Sequence, residues 1–358
     1  MRFLFAALFA FSVAPAAAQS AIPVNDIVTG SVDGYIRPGF HQLAVDSAAL
    51  DASLATLCGS PAAGTLGDTQ VKFRAVVLSF ARIEFLHLGP LTTGDRAERP
   101  LFWPGSKGIA LKQVQQVLAE KDATAVDPIT LQKKSVAMQG LGALEFVLFG
   151  TGAETLGTAD GAFRCSYGHA IATLVSGIAA TLDTEWSDPS PDGAVAHMLD
   201  PQPDAQDYRT SKEVLEKLAG SLVNGTETVR DQRIAPIVGQ ADGKPRPKSA
   251  LFWRSDMTAQ ALKANFQGLR DLFVIGKFSE ATKASGSGWI SNSALFEFDN
   301  AIATAGTIAE PIEVAVAGTG LVKLKAMTNI TRSLDTLLGE NLPSALGLTM
   351  GFSQLDGD

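Results

Sequence analysis

Only two cysteines, four histidines and three tyrosines occur in the 358 residues. Two cysteines are too few for a disulfide-built scaffold or a cysteine-rich zinc site. Charge is sparse as well: Asp, Glu, Lys and Arg make up 18%, and the formal net charge is −8. The basic footprint of a nucleic-acid binder is missing, which excludes that class of partner. Several catalytic signatures are also missing. There is no His-Glu-x-x-His, no Gly-x-Ser-x-Gly, no P-loop, and no Gly-x-Gly-x-x-Gly opening a helix after a strand. What the chain has in quantity is apolar surface, 46% of its residues. A chain this apolar and this long buries a core, so disorder is excluded.

Part of that apolar excess sits at the N-terminus. Met1-Arg2 is a short basic start, Phe3 to Val13 is an apolar run, and Ala16-Ala17-Ala18 is a small-residue cleavage site. This three-part pattern is that of a secretory signal peptide over residues 1–18. The run is shorter than the roughly 20 residues of a membrane span, so no transmembrane segment is expected in the mature chain. Export to the periplasm follows as the expected location. In an oxidising compartment Cys58 and Cys165 most simply form one disulfide; the alternative is two free buried thiols. A bridge closing so long a loop is worth about 4–5 kcal/mol at most in the entropy model.

Hydrophobic periodicity is helical nearly everywhere. Helices are expected over 70–89, 107–121, 129–149, 162–186, 208–234, 256–276, 291–305 and 320–339. One short stretch, IEVAVAG (312–318), reads as extended. The proline-rich polar segments SDPSPDG (187–193) and DPQPDA (200–205) mark a domain boundary. The fold class is therefore all-α, with two helical-bundle domains at 19–190 and 205–358. An internal echo bears on their origin. LFWP (101–104) recurs as LFWR (251–254), and QGLGALEFVLFG (139–150) has a counterpart in QGLRDLFVIG (267–276). The spacings differ, which excludes a simple tandem repeat and leaves ancient duplication or coincidence.

Glu145 is the most informative residue. It is the only ionisable side chain between Lys134 and Glu154, and apolar residues surround it on every side of the helix. A buried lone carboxylate is costly unless paired, hydrogen-bonded or protonated, and its pKa should rise. It reads either as a functional carboxylate or as one member of a salt bridge between helices. Gly140 and Gly142 lie within a turn of it, where glycine costs about 1 kcal/mol each in a helix, so something approaches the backbone closely. Glu84 repeats the pattern in the stripe Phe73, Val77, Phe80, Glu84, with His87 at i+3 on the same face. Glu-x-x-His is the di-iron spacing, but a di-iron site needs two such pairs and only this one occurs. Arg82 stands ready to pair with a carboxylate of a neighbouring helix. His169, in an apolar run, reads as a hydrogen-bonded core histidine. Phe-Trp pairs flanked by cations occur at 94–108 and 246–255. They read either as lids on the bundle ends or as a binding surface for an anion.

Taken together, FARIEFLHLGP, RPLFWPGSKG, SVAMQGLGALEFVLFG, FRCSYGHAIA, RDQRIAP, SALFWRS and a terminal GLTMGFSQLDGD resemble the imelysin-like family. That family is also called the M75 peptidase family, and more narrowly the chain looks like its periplasmic branch. The resemblance implies two helical bundles with a site at their interface, and an association with bacterial iron uptake. The family hallmark is Gly-x-His-x-x-Glu. Here it reads Gly140-Leu141-Gly142-Ala143-Leu144-Glu145, so Gly142 stands where the histidine would be. The resulting expectation is a non-enzymatic periplasmic binding protein. Its ligand pocket would be built from Glu145, Gly140, Gly142, Gln139, Glu84, His87, Arg82, Arg96 and Trp103. The ligand would be a metal ion, a chelate or a small molecule, and the partner an iron-uptake protein of the membrane or periplasm. Iron or another metal ion would contact Glu145, Glu84 or His87. The alternatives are a metal-dependent peptidase or hydrolase, or a module that docks to a membrane partner through its Phe-Trp loops.

Overall fold

The structure is a computed structural model, and it describes residues 21–103, 108–191, 193–239 and 242–349. The segment 1–18, expected from its sequence to be a signal peptide, Pro104 to Lys107 and the chain end from Met350 lie outside the described residues. Everything regular among the described residues is helical. The N-terminal half contains α1 (Val24–Ser31), α2 (Arg37–Gly59), α3 (Ala63–Ile83), α4 (Ile109–Glu120), α5 (Pro128–Leu131), α6 (Gly140–Phe149), α7 (Ala162–Ser187) and α8 (Ala194–Leu199). The C-terminal half contains α9 (Ser211–Glu227), α10 (Ala235–Val238), α11 (Thr258–Ile275), α12 (Phe278–Ala284), α13 (Gly288–Gly306), α14 (Ile312–Ala317), α15 (Gly320–Thr336) and α16 (Leu342–Leu346).

In the first half α2 packs along both α3 and α7, and α6 crosses α7. The Cys58–Cys165 disulfide staples the end of α2 to the first turn of α7, as the cysteine count led us to expect. Helix α7 belongs to a segment, Ala159–Ser187, long and apolar enough to cross a membrane by length and composition. Half of its most apolar window is buried inside the bundle, against α2 and α6. In the second half α11, α13 and α15 stack in turn, with α9 against α11 and α15. The halves meet where α3 lies along α11 and where α1 packs on α9. One continuous cluster of buried apolar side chains runs through both, from Ile27 to Leu342.

Three elements differ from the sequence reading, each for a physical reason. The helix expected over 129–149 is interrupted: α5 ends at Leu131, a short turn covers Val136–Met138, and α6 starts at Gly140 with φ +73. Ser135 caps that intervening turn by accepting from the Ala137 amide, and an L side chain at φ +73 would be strained. The helix expected over 70–89 ends at Ile83, ahead of Gly89-Pro90. Glu84 is therefore its C-cap and His87 lies in the loop that follows, so the pair does not share a helical face. The stretch 312–318 is not extended but forms α14, which follows Pro311 and buries Ile312, Ala315 and Val316 at helical spacing. Burial against the rest of the fold overrides its β-branched local preference.

Candidate ligand-binding site

Helix α6 is short, and nearly all of it is buried. Two devices fix where it begins. The Gly140 φ lets residues 99–100 come so close that a Cβ there would sit 2.5 Å from the Arg99 carbonyl oxygen. The Leu141 amide then donates to the Pro100 carbonyl at 2.8 Å. Gln139, just before the helix, is fully engaged. Its Nε2 donates to the Leu131 and Lys134 carbonyls, and its Oε1 accepts from Arg99. These contacts bind the 99–101 segment and the 131–135 turn to the start of α6. Glu145 is thereby aimed across the molecule at the turn before α11.

There Glu145 Oε1 accepts three hydrogen bonds. The main-chain amides of Arg254 and Ser255 donate at 3.0 Å each, and the Ser255 hydroxyl at 2.9 Å. The side chain is 4% exposed. Burial pushes its carboxyl above the ordinary range, while the Ser255 and Arg254 bonds pull it back. No lysine or arginine forms an ion pair with it among the described residues; neutral donors solve its burial. Its second oxygen, Oε2, takes no hydrogen bond from a described residue.

Glu145 lines a cavity of about 360 Å³ between the two halves. Helix α6 supplies Gly142, Glu145 and Phe146, the 102–103 segment supplies Phe102 and Trp103, and the 248–254 segment supplies Lys248, Trp253 and Arg254. The two echoing Phe-Trp segments thus line one space. Gly142 differs in kind from Gly140: a Cβ built on it meets nothing within 4 Å. The Arg254 guanidinium lies 4.3 Å from the Trp253 ring centroid and 5.4 Å from that of Phe146. The Lys248 ammonium lies 5.5 Å from the Trp253 ring. Neither cation forms an ion pair with a described residue. Desolvation lowers the Arg254 pKa, with Glu145 and Glu313 opposing it.

Residues 36–337 match the imelysin family, Peptidase_M75. The chain belongs to the imelysin family. Two solved structures share its fold. An imelysin-like protein from Psychrobacter arcticum 273-4 has TM-score 0.77 at 15% identity, covering 92% of this chain and 98% of that one. A protein provisionally named iron-regulated protein A precursor, from Parabacteroides distasonis ATCC 8503, has TM-score 0.73 at 14% identity, covering 93% and 97%. No curated protein matches the chain.

In this imelysin-family protein the remaining candidates fall into other places. Glu84 is buried against Arg233, with Nη2 to Oε2 at 2.7 Å, and accepts from Asn265 at 2.6 Å. With His87, Glu98 and Gln232 it lines a second cavity of about 280 Å³. Trp103 borders both this cavity and the Glu145 cavity, anchored by Nε1 donating to the Gln232 carbonyl at 3.1 Å. Arg82 pairs with Asp271 beside Tyr35, in a third cavity. Arg96 pairs with Glu185 at 2.5 Å. The structure brings Glu145, Gln139, Gly142 and Trp103 to one cavity; Glu84, His87, Arg82 and Arg96 stand outside it. His169 is half-exposed on α7, 3.3 Å from Asp51, and not a core residue.

A bare metal ion fits this donor set poorly. Among the described residues no three His, Cys, Asp or Glu side chains converge on a point where they could hold one. Phe102, Phe146, Lys248, Trp253 and Arg254 are among the cavity residues that sequence reasoning did not place in the site, and Ser255, which holds Glu145, was not placed there either. For Lys248 and Arg254 a signal existed in the cation-flanked LFW segment. The Glu145 partners were beyond sequence reading because two of the three donors are main-chain amides.

Proposed function

We propose that this protein is a non-enzymatic binding protein of bacterial iron uptake that works in the periplasm. Its domains are 19–190 and 205–358, and its ligand occupies the cavity between them. One observation carries the reading: the two oxygens of Glu145 have different tasks. Oε1 is saturated by the 254–255 turn, and Oε2 is left for something else, beside a glycine with open space in front of it. Oε2 is not among the buried side-chain atoms that lack a partner; it belongs to a residue lining the cavity, where a ligand group can donate to it. The iron association rests on family membership and on the name of the Parabacteroides neighbour. The disulfide supports an oxidising compartment.

Iron would arrive as a chelate. One free carboxylate oxygen suits a hard cation but falls short of a coordination sphere, so the chelator supplies the other donors. The peptidase alternative lacks a converging ligand set among the described residues. For the docking alternative, Trp103 and Trp253 would have to present an outward face, yet both line the cavity.

The test is a calorimetric titration of the mature, disulfide-intact protein with ferric citrate and with ferric ion alone, beside Glu145→Gln and Glu145→Ala. The expected result is one ferric citrate per chain for the wild type, a sharply weaker interaction in both variants, and little uptake of the bare ion. Chelator-sensitive proteolysis by the pure protein, or unchanged binding in both variants, would overturn the reading.

A further inference from the structure

We infer that, among organic anions, the cavity at Glu145 favours those with a flat aromatic ring, an inference that rests on that cavity being the binding site. Three features of its walls converge on this class. The first is the aromatic lining. Trp103 and Trp253 come from opposite halves of the chain and border the same space, with Phe102 and Phe146 beside them. Such walls favour a planar ring system through offset or edge-to-face contacts.

The second feature is charge. The chain is acidic overall, at −8, and most arginines with a partner here meet a carboxylate: Arg37, Arg82, Arg96, Arg99, Arg230, Arg233, Arg246 and Arg270 all do. Arg74, Arg164 and Arg332 instead reach carbonyl or amide oxygens, whereas Arg254 and Lys248 line the cavity. Both stack on Trp253 and neither forms an ion pair with a described residue. Stacking holds the guanidinium plane while leaving its N–H edge free, which is the geometry for bidentate recognition of a carboxylate, sulfonate or phosphate. The charged groups within electrostatic range of Arg254 are Glu145 and Glu313. Burial raises the Glu145 carboxyl, and its Oε1 is taken up by the donors of the 254–255 turn rather than by the Arg254 guanidinium.

The third feature is the neutral patch between these charges. Gly142 opens the wall of α6 next to Glu145, and Oε2 accepts a hydrogen bond, or donates one when protonated. A ligand with its anionic group on Arg254 and Lys248, its ring against the tryptophans and a hydroxyl or amide on Glu145 would engage both cations and the free carboxylate oxygen at once. A cationic ligand would meet two unpaired cations, and a neutral aliphatic one would leave them desolvated and unpaired.

The experiment compares two probes of one skeleton, 8-anilinonaphthalene-1-sulfonate and its uncharged analogue N-phenyl-1-naphthylamine. Binding is read by tryptophan-to-probe energy transfer and by calorimetric stoichiometry. The proteins are the wild type, the double variant Arg254→Gln/Lys248→Gln and the cavity-filling Gly142→Phe, each checked for fold by its melting curve. The wild type should take one sulfonate probe per chain, about 10-fold or more tighter than the neutral analogue, consistent with charge-assisted hydrogen bonds. The double variant should lose that preference while its affinity for the neutral analogue stays put, and Gly142→Phe should abolish both.

Equal affinity for the two probes, or an unchanged preference in the double variant, overturns the charge selection and leaves the cavity as a binding site. Sulfonate binding that survives Gly142→Phe places the probe elsewhere and overturns the inference. If neither probe binds, the aromatic-anion class is refuted, and the ferric citrate titration decides separately whether the cavity binds anything.

Discussion

Gly140 and Gly142 lie two positions apart on α6, and the structure assigns them opposite consequences when each is changed to alanine. At Gly140 φ is +73, where an L residue carries about 1–2 kcal/mol of strain. The new methyl would also stand 2.5 and 2.7 Å from the Arg99 and Pro100 carbonyl oxygens, which belong to backbone and must shift. Gly140→Ala should therefore lose about 2–4 kcal/mol in all. Gly142 lies in the helix at an ordinary φ, and its Cβ position is empty to 4 Å. Gly142→Ala should gain about 0.5–1 kcal/mol from reduced chain entropy in the unfolded state. That is a melting point higher by about 1–3 °C for a chain of this size class. The same methyl protrudes into the cavity, so affinity for ferric citrate should fall about 5-fold or more if the ligand packs against α6. Differential scanning calorimetry with and without ligand, beside the citrate titration, reads both effects. A destabilised Gly142→Ala would refute the reading of Gly142 as an open position. A stabilised variant with unchanged affinity would refute the claim that the ligand uses that space.

Other expectations are more local. Glu84→Ala strips the partner from Arg233, a side chain 8% exposed whose Nη1 already lacks a hydrogen bond. Chemical denaturation should register a loss of about 3–5 kcal/mol, with citrate affinity close to wild type in the folded fraction. Cys58→Ser/Cys165→Ser opens a 107-residue separation, and a loss of up to about 4–5 kcal/mol is expected; a melting point unmoved in the double variant, or by reductant, would count against the staple. Glu310 caps the start of α11 by accepting from the Ala259 amide, and burial, with Asp256 and Glu313 nearby, raises its pKa to about 7. A carboxyl raised in the folded state contributes stability below its unfolded value and loses it as pH rises toward about 7. Stability should decline between about pH 4.5 and 7, by less than the full displacement because the side chain is part exposed, and Glu310→Gln should flatten that slope.

Much of this was legible in the residues because it depends on local periodicity and burial. Helical spacing placed α4, α7, α11, α13 and α15 within a few residues of where they occur. A single carboxylate in a uniformly apolar stretch marks Glu145 as buried on pattern alone, and two cysteines behind a signal-peptide pattern point to the bridge. Reading failed where the outcome rests on groups distant in sequence. Extending α3 to residue 89 gave Glu84 and His87 a shared face they do not have, because the helix stops before Gly89-Pro90. IEVAVAG has the composition of a strand, and only the surface it packs against makes it a helix.

Sequence alone thus determined that the chain is a helical protein of the imelysin family, with a buried acid in a uniformly apolar stretch. Those properties follow from side-chain pattern, which is written along the chain. Tertiary structure decided what the acid does. Its three donors come from residues more than 100 positions away, two of them main-chain amides that any side chain could accompany. It decided that the two Phe-Trp segments line one cavity, that Gly140 serves packing while Gly142 leaves space, and that Glu84 answers to Arg233 across the halves. Each of these depends on which helix faces which, and helical periodicity specifies the buried face of a helix but not the neighbour that covers it.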